Sequence, residues 1–122
     1  MRRSGSRVAA ACVAAVAGLS ALAPAAAPAA PSSLVECIEG SDFIGNAAAS
    51  RDNGLSREAF LDRMEGDFVA IRAFPAALRW FVKDVDDENF LRSAAEDVYD
   101  RPKAPDRHRA AFFAACISRS AG

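Results

Sequence analysis

The chain carries three cysteines, Cys12, Cys37 and Cys116, and the number that survive export decides what it can fold into. Cys12 lies inside an N-terminal segment built like a cleavable export signal. Arg2, Arg3 and Arg7 precede an uncharged run from Val8 to Ala23, and Pro24, Pro28 and Pro31 then interrupt an alanine-rich stretch. A basic start, an apolar middle and small residues at alternate positions are the parts of a secretory signal peptide. Ala23-Pro24-Ala25 and Ala27-Pro28-Ala29 both supply the small pair, so cleavage is expected after Ala25 or after Ala29. Residues 1–29 read as the signal and 30–122 as a single helical domain.

Competing readings of this segment are weaker. A retained membrane anchor needs about 20 strongly apolar residues, and the run from Val8 to Ala23 is shorter and mostly alanine. No stable membrane insertion is expected after cleavage. A twin-arginine signal would follow Arg2-Arg3 with bulky apolar residues, where Ser4, Gly5 and Ser6 stand. A lipoprotein cysteine at Cys12 would have no hydrophobic stretch between it and Arg7.

Removing the signal leaves Cys37 and Cys116, an even count in a small exported domain, which reads as one disulfide. Closing a loop of roughly 80 residues stabilises by about 4–5 kcal/mol in the chain-entropy model. A domain of this size typically holds about 5–10 kcal/mol in total, so the bond is a large share. The same cut changes the charge. Of the 15 basic residues three leave with the signal, whereas all 16 acidic residues stay, and the mature net charge becomes −4. Nucleic acid and anionic membrane surfaces favour a basic patch and are not expected partners.

Apolar periodicity beyond Pro31 is helical almost throughout, with no sustained alternation of the strand kind. The spacing predicts a first helix capped at Ser32 or Ser33, with Leu34, Cys37 and Ile38 on one face and a break at Gly40. Ile44, Ala47 and Ala48 continue the face, and Asp52-Asn53-Gly54 ends it as a turn. Ser56 caps a second helix whose stripe is Phe60, Met64, Phe68 and Ile71. Pro75 ends that helix. A short third helix is expected from Pro75 to about Val82, carrying Leu78, Trp80 and Phe81. Asp86 is expected to cap a fourth, which buries Phe90, Leu91, Ala94, Ala95, Val98 and Tyr99 and stops at Arg101-Pro102. A last helix from Pro105 presents Phe112, Phe113, Cys116 and Ile117. The fold class is all-α: a small bundle of four to five short helices, the first and last tied by the Cys37–Cys116 disulfide.

Chemistry-bearing patterns are sparse. Read as a calcium loop from Asp84, the acidic run would need glycine at the sixth place and glutamate at the twelfth, where Asn89 and Ala95 stand. A capped helix start with acid in its first turn is the better account. His108, the single histidine, is expected at the solvated surface, without the further ligands zinc wants. No phosphate loop, serine elbow or paired-cysteine motif occurs. No catalytic residue, cofactor or metal is expected. Trp80-Phe81 and Phe112-Phe113 are adjacent aromatic pairs, expected first as core. Where they reach the surface, Trp80 and Phe81 with Asp84, Asp86 and Asp87 form the expected interaction surface.

With Cys37, the stretch Arg51-Asp52-Asn53-Gly54-Leu55-Ser56, the stretch Val98-Tyr99-Asp100-Arg101-Pro102 and Cys116 in view, the chain resembles a group of small exported bacterial helical proteins. They share an early and a late cysteine, an Arg-Asp-x-Gly-x-Ser turn and a Val-Tyr-Asp/Glu-x-Pro stop. The resemblance covers most of the mature chain, and its motifs are helix caps and stops. It implies an exported helical domain and carries no activity over. In architecture the chain is also similar to HdeA-type periplasmic acid-stress chaperones, which are small, helical, exported and closed by one disulfide.

These readings lead to a non-enzymatic periplasmic or secreted helical module that binds another protein, as an envelope or stress factor. The alternative is a small secreted enzyme inhibitor presenting Asp84 to Asp87 or Asp100 to Pro105. Behind that stands an enzyme using the surface carboxylates Asp84, Asp86 and Asp87.

Overall fold

A computed structural model describes residues 31–122, together with the isolated positions Ala14, Ala15 and Gly18. The remainder of the expected export signal lies outside the described residues. Four α-helices follow in order: α1, Leu34–Asp52; α2, Arg57–Arg72; α3, Val85–Asp100; and α4, Pro105–Ala121. A single 3₁₀ turn, Ala76–Leu78, interrupts the connection between α2 and α3.

The helix ends follow local chemistry. The Ser33 hydroxyl accepts from the Glu36 amide at 3.1 Å, and the Ser56 hydroxyl accepts from the Ala59 amide at 3.1 Å, each satisfying one of the free donors of a first turn. Gly54, at φ +95°, turns the chain between α1 and α2 in the left-handed region that only glycine adopts without strain. Pro105 occupies the first turn of α4, where its missing donor costs nothing. The cap of α3 is Asp84 and not Asp86: the Asp84 carboxylate accepts from the Asp87 amide at 2.9 Å, which leaves Asp86 exposed inside the first turn.

Helices α1 and α4 pack antiparallel and are joined by the Cys37–Cys116 disulfide, whose α-carbons lie 5.6 Å apart across 79 positions of sequence. Both cysteines are fully buried. The expected break at Gly40 does not occur. Helix α1 runs through it, because the glycine sits where the Phe112 ring presses on the backbone. Cys37, Ile44, Ala47 and Ala48 form the buried side of α1. Leu34 and Ile38, expected on that face, are instead 59% and 45% exposed, as is Ile117 beside Cys116 at 36%. Each of the three lies one helical step or more away from the side that the disulfide turns inward.

Helix α2 lies along α3 and contributes Phe60, Met64 and Phe68 to the core, with Ile71 half-buried. Three arginine–carboxylate pairs line this seam: Arg57 with Asp100, Arg92 with Glu65, and Arg72 with Glu88. The Tyr99 hydroxyl donates to the Leu55 carbonyl at 3.1 Å and ties the start of α2 to the end of α3. A chain of aromatic contacts then crosses the domain from Tyr99 through Phe60, Phe43, Trp80 and Phe81 to Phe112, with ring centroids between 5.4 and 6.1 Å apart.

The helix expected from Pro75 to Val82 is replaced by the 3₁₀ turn and an irregular segment. Arg79 explains the difference. Its guanidinium donates to the carbonyls of Phe74 at 2.8 Å, Lys83 at 2.9 Å and Arg72 at 3.1 Å, which gathers both ends of the connection around one side chain. Arg79 itself is extended, at φ −78° and ψ 127°. Beyond it, Phe81 enters the core fully while Trp80 packs at its edge against Phe43. Leu78 is left 72% exposed.

Candidate binding groove

Arg79 holds the 3₁₀ turn over the first turns of α1 without closing it onto them. Between them lies an open groove of about 530 Å³, walled by Glu36 and Lys83 on one side and by the segment 76–80 on the other. The turn contributes Ala76, Ala77, Leu78 and Trp80, an apolar wall.

Glu36 is the third residue of α1, and its amide donates to the Ser33 hydroxyl that caps the helix. Its Oε1 atom accepts from two donors, the Ser33 hydroxyl at 3.2 Å and the Lys83 ammonium at 3.0 Å. Its Oε2 atom is buried and has no partner, the single side-chain atom in that condition among the described residues. The pair lies partly shielded from water, with the Lys83 and Glu36 side chains 15% and 21% exposed. A buried acceptor left unpaired costs about 1–3 kcal/mol. Lys83 spends one of its three donors on Glu36, and the amide of Lys83 donates to Asp87 at 3.0 Å.

The five residues expected as an interaction surface are not brought together as one. Trp80 alone lines the groove. Phe81 is fully buried, so it offers no surface. Asp87 is buried as well: it accepts from the Lys83 amide and, at 3.2 Å, from Arg119 on α4. Asp84 caps α3, and Asp86 remains in solvent. Glu36, Leu78, Arg79 and Lys83, which sequence reasoning did not single out, complete the groove. Of these only Glu36 left a legible trace, the Ser33-x-x-Glu36 spacing of a helix start.

His108 is also misplaced by the sequence, being 4% exposed rather than solvated. Pro105 starts α4 so that His108 faces back onto the preceding loop, and its Nε2 accepts from the Lys103 amide at 2.9 Å. Burial, with the positive Arg51 and Lys103 nearby, holds its imidazole below the ordinary histidine range, while Asp97 and Asp52 oppose this. A cleft of about 260 Å³ between α3 and α4 is lined by His108 together with Ser93, Asp97 and Arg101. Those residue types suit nucleophilic catalysis, but the histidine and the carboxylate are engaged locally. The His108 lone pair is committed to the Lys103 amide, and Asp97 pairs with Arg101 one turn on. A general base needs a free lone pair within reach of the proton it takes. Among the described residues no three histidine, cysteine or acidic side chains gather as a metal site, and no helix is long and apolar enough to cross a membrane.

Fold and groove together define a small disulfide-closed four-helix domain with an apolar groove that carries an ion pair in its wall. No protein family, curated protein or solved structure matches the chain.

Proposed function

We propose that this chain is an exported, non-enzymatic binding module for another protein, acting in the cell envelope or outside it. The groove beneath the 3₁₀ turn is the observation that carries this reading. It combines exposed apolar surface at Leu78, a half-buried aromatic at Trp80 and a charged pair, the mixture by which binding sites fix orientation and gain affinity. The disulfide between Cys37 and Cys116 fits an oxidising compartment. Co-purification from envelope and medium fractions tests the reading, with Leu78→Asp as the comparison. A partner retained by the wild type and lost from the variant is the expected result. Equal recovery with both, or none with either, would sink it.

A second reading has its own observation. The exposed loop between α3 and α4 is held from below: Arg51 donates to the Val98 carbonyl at 2.6 Å and to the Lys103 carbonyl at 2.8 Å, and His108 accepts from the Lys103 amide. A rigid projecting loop suits an inhibitor, because its shape needs no ordering on binding. Asp100 to Pro105 is that loop. Loss of partner binding on replacing Lys103, with Leu78→Asp silent, would favour it over the groove.

A further inference from the structure

We infer that a cleft between Trp80 and α2, separate from the groove, is a site for a small alkyl- or arylammonium ion. The cleft holds about 250 Å³, and its walls include Phe43, Met64, Asp67, Phe68, Trp80 and Leu91. Drug-sized sites run from roughly 300 to 1,000 Å³, so the occupant here is a short chain or a single ring. Met64, Phe68 and Leu91 are each 1% exposed and carry the cleft down to the core. Asp67 is exposed on α2 and stands at the mouth.

Charge selects the occupant. Phe43, Phe68 and Trp80 bring three aromatic rings to the walls, with Phe43 and Trp80 edge to face at 5.6 Å. Aromatic rings attract a cation held within about 6 Å of them. Asp67 is the single charged residue of the lining, and it pairs with no cation among the described residues. Arg92, which lies over the Phe68 ring at 5.3 Å, is paired with Glu65 instead, and Arg72 is paired with Glu88. An anion would meet the Asp67 carboxylate unneutralised, and a neutral apolar molecule would leave it unused. A bare metal ion wants several oxygen ligands, and among the described residues no three acidic, histidine or cysteine side chains gather. An ammonium on an apolar body uses both parts of the site.

Trp80 is the only tryptophan in the chain and lines the cleft, so its emission reports occupancy. Phenethylammonium is titrated to millimolar concentration against the full mature protein at neutral pH. Phenethyl alcohol and hydrocinnamate, which keep the ring and change the head group, are the controls. Saturable change is expected with the ammonium, and about tenfold or weaker binding with the other two, the usual effect of losing a hydrogen bond between charged groups. Asp67→Asn should leave the melting temperature unchanged and reduce ammonium binding to that of the alcohol. Asp67→Glu should keep the preference, and Leu78→Asp, in the groove, should leave the titration as in the wild type. Equal binding of all three probes, binding of none, or a preference that survives Asp67→Asn would overturn the inference. Loss of binding in Leu78→Asp would place the ligand in the groove and overturn it too. Each of these failures leaves the protein-binding reading standing, because that reading is tested by recovery of a partner.

Discussion

Gly40 on α1 lies beneath the edge of the Phe112 ring on α4, so closely that a methyl group on its α-carbon would sit 2.6 Å from Cε1 of that ring. The ring is also packed against Phe81 at 5.4 Å and Phe90 at 5.1 Å, so any shift that makes room must disturb those contacts. Gly40→Ala is therefore expected to destabilise the domain by about 1–3 kcal/mol, the cost of overpacking. Gly66 on α2 is the contrast, since a methyl there meets nothing within 4 Å. Gly66→Ala should stabilise by about 0.5–1 kcal/mol through helix propensity. Paired urea unfolding curves check both signs.

The disulfide joins the two helices that pack most extensively, so it closes nearly the whole domain into one loop. Cys37→Ala and Cys116→Ala should each cost about 2–5 kcal/mol, and about equally, since each breaks the same bond. The double variant should be no worse than either single one by more than the packing of a second small side chain. Intact mass should rise by two hydrogens on reduction. Two free thiols in protein recovered from the periplasm would overturn the disulfide.

His108 predicts a pH dependence whose sign follows from its environment. Its folded-state value is lowered, so between that value and the ordinary 6.5 the unfolded chain binds a proton the folded one refuses. Stability is then full above about pH 6.5 and falls as the pH drops through that window, by at most about 1.4 kcal/mol per pH unit. Protonation also removes the acceptor for the Lys103 amide. His108→Gln keeps an acceptor and does not titrate, so unfolding midpoints measured from about pH 7.5 down to about pH 5 should flatten in that variant. An unchanged slope would assign the effect elsewhere.

The ion pairs along α2 and α3 should be unequal. Arg92 hydrogen-bonds Glu65 and holds its carboxyl below the ordinary range. That contribution is present above about pH 4.5 and lost as the pH falls through the lowered value, but Glu65 is 47% exposed and the pair is screened by salt. Glu65→Gln should cost less than about 1 kcal/mol. Arg72→Ala should hurt more than Arg57→Ala, because Glu88 is 6% exposed and loses its hydrogen-bonded partner, whereas Asp100 is 54% exposed and returns to water. High salt should erase the Arg57 effect first.

Arg79 should be the residue on which the groove depends for its shape. Arg79→Ala releases three carbonyls and should cost about 1–3 kcal/mol. Arg79→Lys should not restore it, since one ammonium cannot span the carbonyls of Arg72, Phe74 and Lys83. Faster amide exchange confined to residues 73–83, with a red shift of Trp80 emission, is the expected signature of both variants.

Much of this architecture is local and could be read before any contact was known. Ser33, Ser56 and Pro105 start helices, and Gly54 and Pro75 end them, through hydrogen bonds and backbone angles that involve only near neighbours. The pairing of Cys37 with Cys116 followed from counting once Cys12 is assigned to the expected export signal, because two remaining thiols have one way to pair. Tertiary structure alone decided which neighbour took each polar group. Asp84 and Asp86 are both able to cap α3, and the chosen one is set by where the connection arrives, which Arg79 determines by collecting carbonyls from both its ends. His108 is polar by composition and buried by geometry, because the Lys103 amide came within reach of it. The groove is decided the same way. Its parts, Glu36, Leu78 and Lys83, are separated by up to 47 positions, and neither periodicity nor capping relates residues that far apart. Only the packing of the connection between α2 and α3 against the start of α1, where Lys83 pairs with Glu36, brings them together.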